Sequence, residues 1–203
     1  MRITARCAIA LMFLQATAIP SRAMTGDEAL KKFQGRMYGI TTMAGNISWM
    51  YHSGQSYSGS FKYMAPGKIH VKFTSPSGRI LATNGRRLWV YDSSSNICGV
   101  QDVGQGGSGG IAGLVNGYLA ILTSQGPSGY TLKLKNPEKT YSEITLVLDG
   151  SFMLKKAVLG GKEGDGLTVT LSNVRTGVSM IPGMFDFSVP SNAQVVKNPL
   201  NVK

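Results

Sequence analysis

The chain has 203 residues, 42% of them hydrophobic, with 21 Lys and Arg against 10 Asp and Glu, a net charge of +11. That length and apolar content allow a single domain with a sizeable core, and all-β barrels often run to this size. Two histidines eighteen residues apart, His52 and His70, and two cysteines form no recognised metal-ligand cluster.

Residues 1–23 read as a cleavable secretory signal. Arg2 and Arg6 make a positive start, Ala8 to Ile19 an apolar run, and Ser21-Arg22-Ala23 a small-x-small cleavage site, with the cut expected after Ala23. A lipid anchor would need its cysteine directly after the apolar run, whereas Cys7 precedes it. No other apolar run reaches the ~18 residues of a membrane span. Residues 24–203 are therefore expected as one domain, free in the periplasm.

Losing Arg2, Arg6 and Arg22 leaves 18 basic and 10 acidic residues, a net charge of +8. Such a charge suits anionic lipid headgroups and transient contact with a membrane surface. Export argues against nucleic acid, and scattered lysines are most often the solvated face of a sheet. Cys98 alone remains, so no intrachain disulfide is available and a buried thiol is expected.

Thr25-x-x-Glu28 has capping-box spacing, and Ala29, Leu30, Phe33 and Met37 then recur at helical intervals, predicting an amphipathic helix to about Arg36 or Tyr38, ended by Gly39. Met43, Gly45, Ile47 and Trp49 share one side of a first strand. From Gly59 to Asp92, turn chemistry at Ala65-Pro66-Gly67, Pro76-Ser77-Gly78 and Asn84-Gly85 divides the chain into a four-strand meander. Within it Ile69, Val71 and Phe73 fall on one face and Lys68, His70 and Lys72 on the other. Asn84-Gly85 suits a type I′ turn, which would fold Ile80–Thr83 onto Leu88–Tyr91.

After a turn at 93–96 comes a short strand from Ile97 to Val103, and then Gly104 to Gly110, which reads as a hinge. The run Ile111 to Leu122 spaces its apolar residues as a helix, despite interior glycines at Gly113 and Gly117. It is either a core helix or a lid. Alternation returns at Tyr130–Lys135, Ile144–Leu148, Met153–Leu159 and Leu167–Leu171, joined through Asp149-Gly150 and the glycine-rich loop 160–166. Pro182-Gly183 then introduces a last short strand at Phe185–Phe187. The fold expected is mainly β: a strongly curved antiparallel sheet, or half-open barrel, of ten or eleven strands, with one or two helices across its concave face.

Catalytic constellations are missing. Ser108 formally completes G-x-S-x-G, but both histidines precede it, where a nucleophile elbow needs one downstream. There is no phosphate-binding loop and no dinucleotide fingerprint. The expectation is a binding protein, not an enzyme, without cofactor or metal. A barrel lined by alternate apolar side chains is a natural container for acyl chains.

The order Gly59-x-Phe61-x-Tyr63-x-x-Pro66, the alternation to Phe73, Ile80-Leu81, Asn84-Gly85, Leu88-Trp89-Val90-Tyr91 and the later Phe185-Asp186-Phe187-Ser188-Val189-Pro190 with Val195-Val196 resembles the LolA-like periplasmic lipoprotein carriers. The stretch from about Cys98 to Gly183 matches only in its pattern of elements. The resemblance implies a soluble carrier that holds the acyl chains of lipoproteins and moves them from the inner to the outer membrane. It implies as partners the lipoproteins themselves, an inner-membrane lipoprotein-releasing transporter and an outer-membrane acceptor.

On that reading Met43, Ile47, Trp49, Phe61, Ile69, Val71, Phe73 and Ile80 line the acyl cavity, and Ile111, Leu114, Val115, Tyr118 and Leu119 form the lid; the alternative for each is ordinary core. Rival roles are carriage of free lipid or glycolipid, and a regulatory domain that senses lipoproteins. One position departs from the family: the arginine that precedes the proline and is thought to hold the lid is Ala65 here, with Arg79, Arg86 and Arg87 nearby as substitutes.

Overall fold

The computed structural model describes residues 23–103, 110–161 and 166–197. The signal segment before Ala23, most of the expected glycine hinge with Ser108, and the tip of the 160–166 loop lie outside the described residues.

Helix α1 (Gly26–Tyr38) starts where the capping box places it. The Thr25 hydroxyl accepts from the Glu28 amide at 3.2 Å, while the Glu28 carboxylate accepts from the Thr25 amide at 2.8 Å. These bonds satisfy donors that the first helical turn leaves open. Ala29, Leu30, Phe33 and Met37 form its buried face. The helix lies against the strand Leu119–Gly126 so closely that a Cβ at Gly26 would overlap the Ala120 carbonyl.

Among the described residues twelve strands form one curved, open sheet. The first meander comprises β1 (Thr42–Tyr51), β2 (Ser56–Met64), β3 (Lys68–Ser75), β4 (Ser77–Thr83), β5 (Arg87–Asp92) and β6 (Ile97–Asp102). The second comprises β7 (Leu119–Gly126), β8 (Gly129–Lys135), β9 (Tyr141–Leu148), β10 (Leu154–Gly161) and β11 (Gly166–Thr176). The two join where β1 pairs antiparallel with β11, setting Ile47 opposite Leu171 and Trp49 opposite Val169. A last strand, β12 (Gln194–Lys197), adds to β6 in parallel, so the sheet ends at β12 on one side and at β7 on the other.

The expected meander is present in the expected register, with Ile80 opposite Tyr91 and Thr83 opposite Leu88. Its turn differs. Gly85 has φ +88°, but Asn84 is not among the residues at positive φ. Instead of a type I′ pair, the Asn84 side chain accepts from the amides of Arg86 and Arg87 and closes a longer loop itself.

Two further expectations are corrected. The helix expected over Ile111–Leu122 is only α2 (Gly110–Gly113), because Gly117 takes φ +80° and the remainder enters β7. The same apolar spacing also fits a period of two, and pairing with β8 decides between them. The strand expected at Phe185–Phe187 is instead a 3₁₀ turn, Pro182–Phe185, followed by extended chain. Phe187 and Val189 there cover the outer face of β4–β6, over a cluster built on Ala82, Trp89 and Cys98. Cys98 is fully buried as expected, and burial pushes its thiol pKa up.

The main core fills the inner face, between the sheet and α1. At the β9–β10 turn the Asp149 carboxylate accepts from the Ser151 amide and hydroxyl and the Met153 amide at 2.7–3.0 Å, holding Phe152 at φ +61°, rare for a bulky residue. Burial opposes ionisation of Asp149, but these bonds win and its pKa lies below the ordinary value. Its stabilisation is thus complete above about pH 4 and lost as pH falls through the lowered folded-state value. Asp149→Ala is expected to cost about 1–3 kcal/mol at pH 7 and less in acid, once pH falls through the lowered folded-state value, as read by urea unfolding at both pH values. An equal cost at both would show that the carboxylate charge is not what holds the turn.

Candidate functional site

Between α1 and the sheet the inner core leaves a cavity of about 230 Å³. Its walls come from both meanders: Met43, Ile47, Phe61, Tyr63, Ile69 and Val71 from β1–β3, and Ile144, Leu146, Leu154, Ala157, Leu159, Val169 and Leu171 from β9–β11. Phe33 of α1 closes it from above, and Leu114 and Val115, just after α2, stand at its mouth. Leu114 is 74% exposed although it lines the cavity, which marks the side on which the space opens.

Of the predicted cavity residues, Met43, Ile47, Phe61, Ile69 and Val71 line this space. Trp49 and Phe73 pack on one another beyond Ile47, ring centres 4.9 Å apart, adjoining the cavity without lining it. Ile80 is a correction. Register sends it to the outer face with Trp89, because the β3–β4 pairing opposes it to outward-facing Lys72.

Of the predicted lid, Leu114 and Val115 line the mouth and Tyr118 packs against the core. Leu119 is a second correction: it belongs to β7, faces outward opposite Lys135, and is 63% exposed. Ile111 lies in α2, and its side chain is outside the described residues.

The wall from β9–β11, with Tyr63 and Phe33, was not among the predicted cavity residues. Their alternation was legible, but alternation tells only which residues share a face. That this face meets β1 depends on a pairing that spans more than half of the chain.

Among the described lining residues only Tyr63 brings a side-chain oxygen or nitrogen, and burial raises its hydroxyl pKa, so it stays neutral at physiological pH. Such a lining can bind apolar groups but supplies no acid–base pair. Among the described residues no group of three or more His, Cys, Asp or Glu is placed to hold a metal, and no helix is long and apolar enough to cross a membrane.

The segment around α2 is tied down by three side chains. Gln34 of α1 donates to the Asn116 side chain at 2.8 Å, Asn136 donates to the Gly117 carbonyl at 2.8 Å, and the Tyr118 hydroxyl donates to the Tyr141 carbonyl at 2.7 Å. Two of the arginines near Ala65 are engaged elsewhere: Arg79 binds Asp92 and Tyr57, and Arg87 pairs with Asp102.

The family described as "Outer membrane lipoprotein carrier protein LolA" matches residues 41–188. A protein of Legionella pneumophila (strain Paris) named outer-membrane lipoprotein carrier protein is 24% identical over 199 residues, 92% of this chain and 98% of its own length. One of the same name from Methylococcus capsulatus is 27% identical, covering 71% of this chain and 73% of its own. Among solved structures, an uncharacterized conserved protein from Thermus thermophilus shares the fold with a TM-score of 0.58 at 13% identity, covering 85% of this chain and 98% of that one. With the family match spanning well over half of its length, the chain belongs to the LolA family of outer membrane lipoprotein carrier proteins.

Proposed function

We propose that the protein is a periplasmic carrier that takes up acyl chains of lipoproteins in the inner cavity and shuttles them from the inner to the outer membrane. The observation that carries this reading is the cavity itself, lined by apolar side chains from both halves of the sheet and capped by α1. The names of its relatives and the secretory character of residues 1–23 support it. An inner-membrane transporter would load the carrier, and an outer-membrane acceptor would unload it.

Size sets the mechanism. Each buried methylene contributes roughly 0.8 kcal/mol, so one fully enclosed long acyl chain is worth on the order of 12 kcal/mol. Full enclosure of several chains would bind too tightly for release. The carrier therefore holds cargo partly and opens to admit more. The α2 segment is the part that moves, held shut by Gln34, Asn136 and Tyr118 in place of the family arginine.

Native mass spectrometry tests this on protein exported together with a tagged lipoprotein, with an unlipidated version of that cargo as control. Co-purification that depends on the lipid is the expected result. Recovery with free glycerolipid alone would favour the free-lipid carrier. Recovery empty with both cargo forms would reduce the cavity to a packing defect.

A further inference from the structure

The cavity has one chemically distinct pole. Where β1 ends and β2 begins, four aromatic rings gather on the inner face: Trp49 lies 5.7 Å from Tyr57 and 4.9 Å from Phe73, and Tyr51 lies 6.2 Å from Tyr57. The cluster is continuous with the cavity, because Trp49 is the next inward residue after Ile47 and pairs across the seam with Val169, and both of these line the space. Tyr141 stands close enough to raise the Tyr51 hydroxyl pKa together with burial and Tyr57, so three tyrosines share this end.

Over the cluster lies Arg79, whose guanidinium sits 5.3 Å from the Tyr57 ring, donates to the Tyr57 hydroxyl at 2.9 Å and donates through Nε to Asp92 at 2.7 Å. Among the described residues two of its five N–H groups are thus engaged, on a side chain about one third exposed. The Trp49 indole N–H is buried with no hydrogen-bond partner among the described residues. A buried donor left open costs free energy and calls for an explanation.

The chemistry of these donors narrows the ligand. Arg79 is already neutralised by Asp92, which also accepts from Ser94, so the pole offers no net positive charge to an anionic headgroup. Lys68 and Lys72, which would attract one, face the other side of the sheet. What the pole offers is hydrogen-bond donors without net charge at the edge of a space for hydrocarbon, the pattern needed by the carbonyls that join acyl chains to their head.

We propose that this pole, with Trp49, Tyr51, Tyr57 and Arg79, is a subsite for the ester and amide carbonyls of an acylated ligand, whose chains run from it into the cavity. The inference rests on the carrier reading and deepens it by fixing which end of the cavity holds the head of the cargo. Ester carbonyls occur both in a lipid-modified N-terminal cysteine and in a free glycerolipid, and the test separates the two.

The exported protein is titrated with a tripalmitoylated cysteinyl peptide, with its analogue carrying ether linkages in place of both esters, and with dipalmitoylglycerol and its diether. Binding is followed by tryptophan emission. Trp89 lies in the outer cluster, so a change reports on Trp49. The ester peptide is expected to bind about tenfold more tightly than the ether peptide and to shift the emission, as one or two added hydrogen bonds imply. Tyr57→Phe and Arg79→Gln should each shrink that ester preference. The same preference among the glycerolipids would assign the subsite to glyceryl esters in general; a preference confined to the peptide would assign it to the lipid-modified N-terminus. Equal binding of ester and ether ligands by the unmodified protein overturns the subsite and leaves the carrier reading intact. Failure of every ligand to bind overturns both. The ester-to-ether ratio needs no variant, so it decides the matter even if a substitution impairs folding.

Discussion

Ala157→Phe is expected to weaken acyl-chain binding at least tenfold while leaving the protein as stable as before, or more so. Ala157 is a buried residue of β10 whose small side chain forms part of the cavity wall, with Leu146 and Val169 as its cross-strand neighbours. A phenyl ring placed there would occupy space that the acyl chain needs. Its effect on stability separates a cavity from ordinary core. In a close-packed interior the added atoms would force side chains off their rotamers and cost about 1–3 kcal/mol. In an open apolar space they bury surface that was empty on one side, and a newly buried aromatic side chain contributes about 1.5–3 kcal/mol. Denaturant unfolding and displacement of a fluorescent fatty acid are the two measurements. A variant that loses more than about 1 kcal/mol and binds as before would mean that the cavity is not the acyl site.

How far the sequence leads here depends on the range of each interaction. Helix α1 was legible to within a residue because Thr25, Glu28 and the apolar spacing act within four positions of one another. The β2–β5 meander was legible because each turn carries its own signal. The signal fails where two local patterns fit equally well. Leu119-Ala120-Ile121-Leu122 satisfies both periods, and only the neighbouring strand makes it β7. It fails also where the partner is distant in the chain. Nothing near Leu171 or Val169 indicates that they meet Ile47 and Trp49 across a seam, so the β9–β11 half of the cavity wall escaped prediction, while of the lining residues on β1–β3 only Tyr63 did. Ile80 shows a third limit. It is as apolar as Leu81 beside it, and only register decides which of the two turns inward.

Phe33→Ala should be the most damaging single truncation at the site, costing about 3–5 kcal/mol, and it should also make the protein unusually responsive to ligand. Phe33 is 1% exposed, lies in the middle of the buried stripe of α1, and forms the roof of the cavity. Removing the ring forfeits its burial and enlarges a space that the surroundings can collapse into only partly, the two contributions that make large-to-small core changes costly. At roughly 2–4 °C per kcal/mol for a chain of this size, Tm should fall by at least about 6 °C. Because the lost volume adjoins the acyl site, a saturating fatty acid should refill part of it, and a ligand that binds only the folded state stabilises that state by RT ln(1 + [L]/Kd). The gain in Tm on adding palmitate should therefore be larger in the variant than in the unmodified protein. Leu114→Ala supplies the contrast: its side chain is mostly in water, so it should change stability by no more than about 0.5 kcal/mol while altering entry at the mouth. If Phe33→Ala proved nearly neutral, α1 would not be packed as a roof. If it were destabilised without any added response to palmitate, the space beneath Phe33 would be separate from the one that holds the acyl chain, and the cargo would have to lie elsewhere on the inner face.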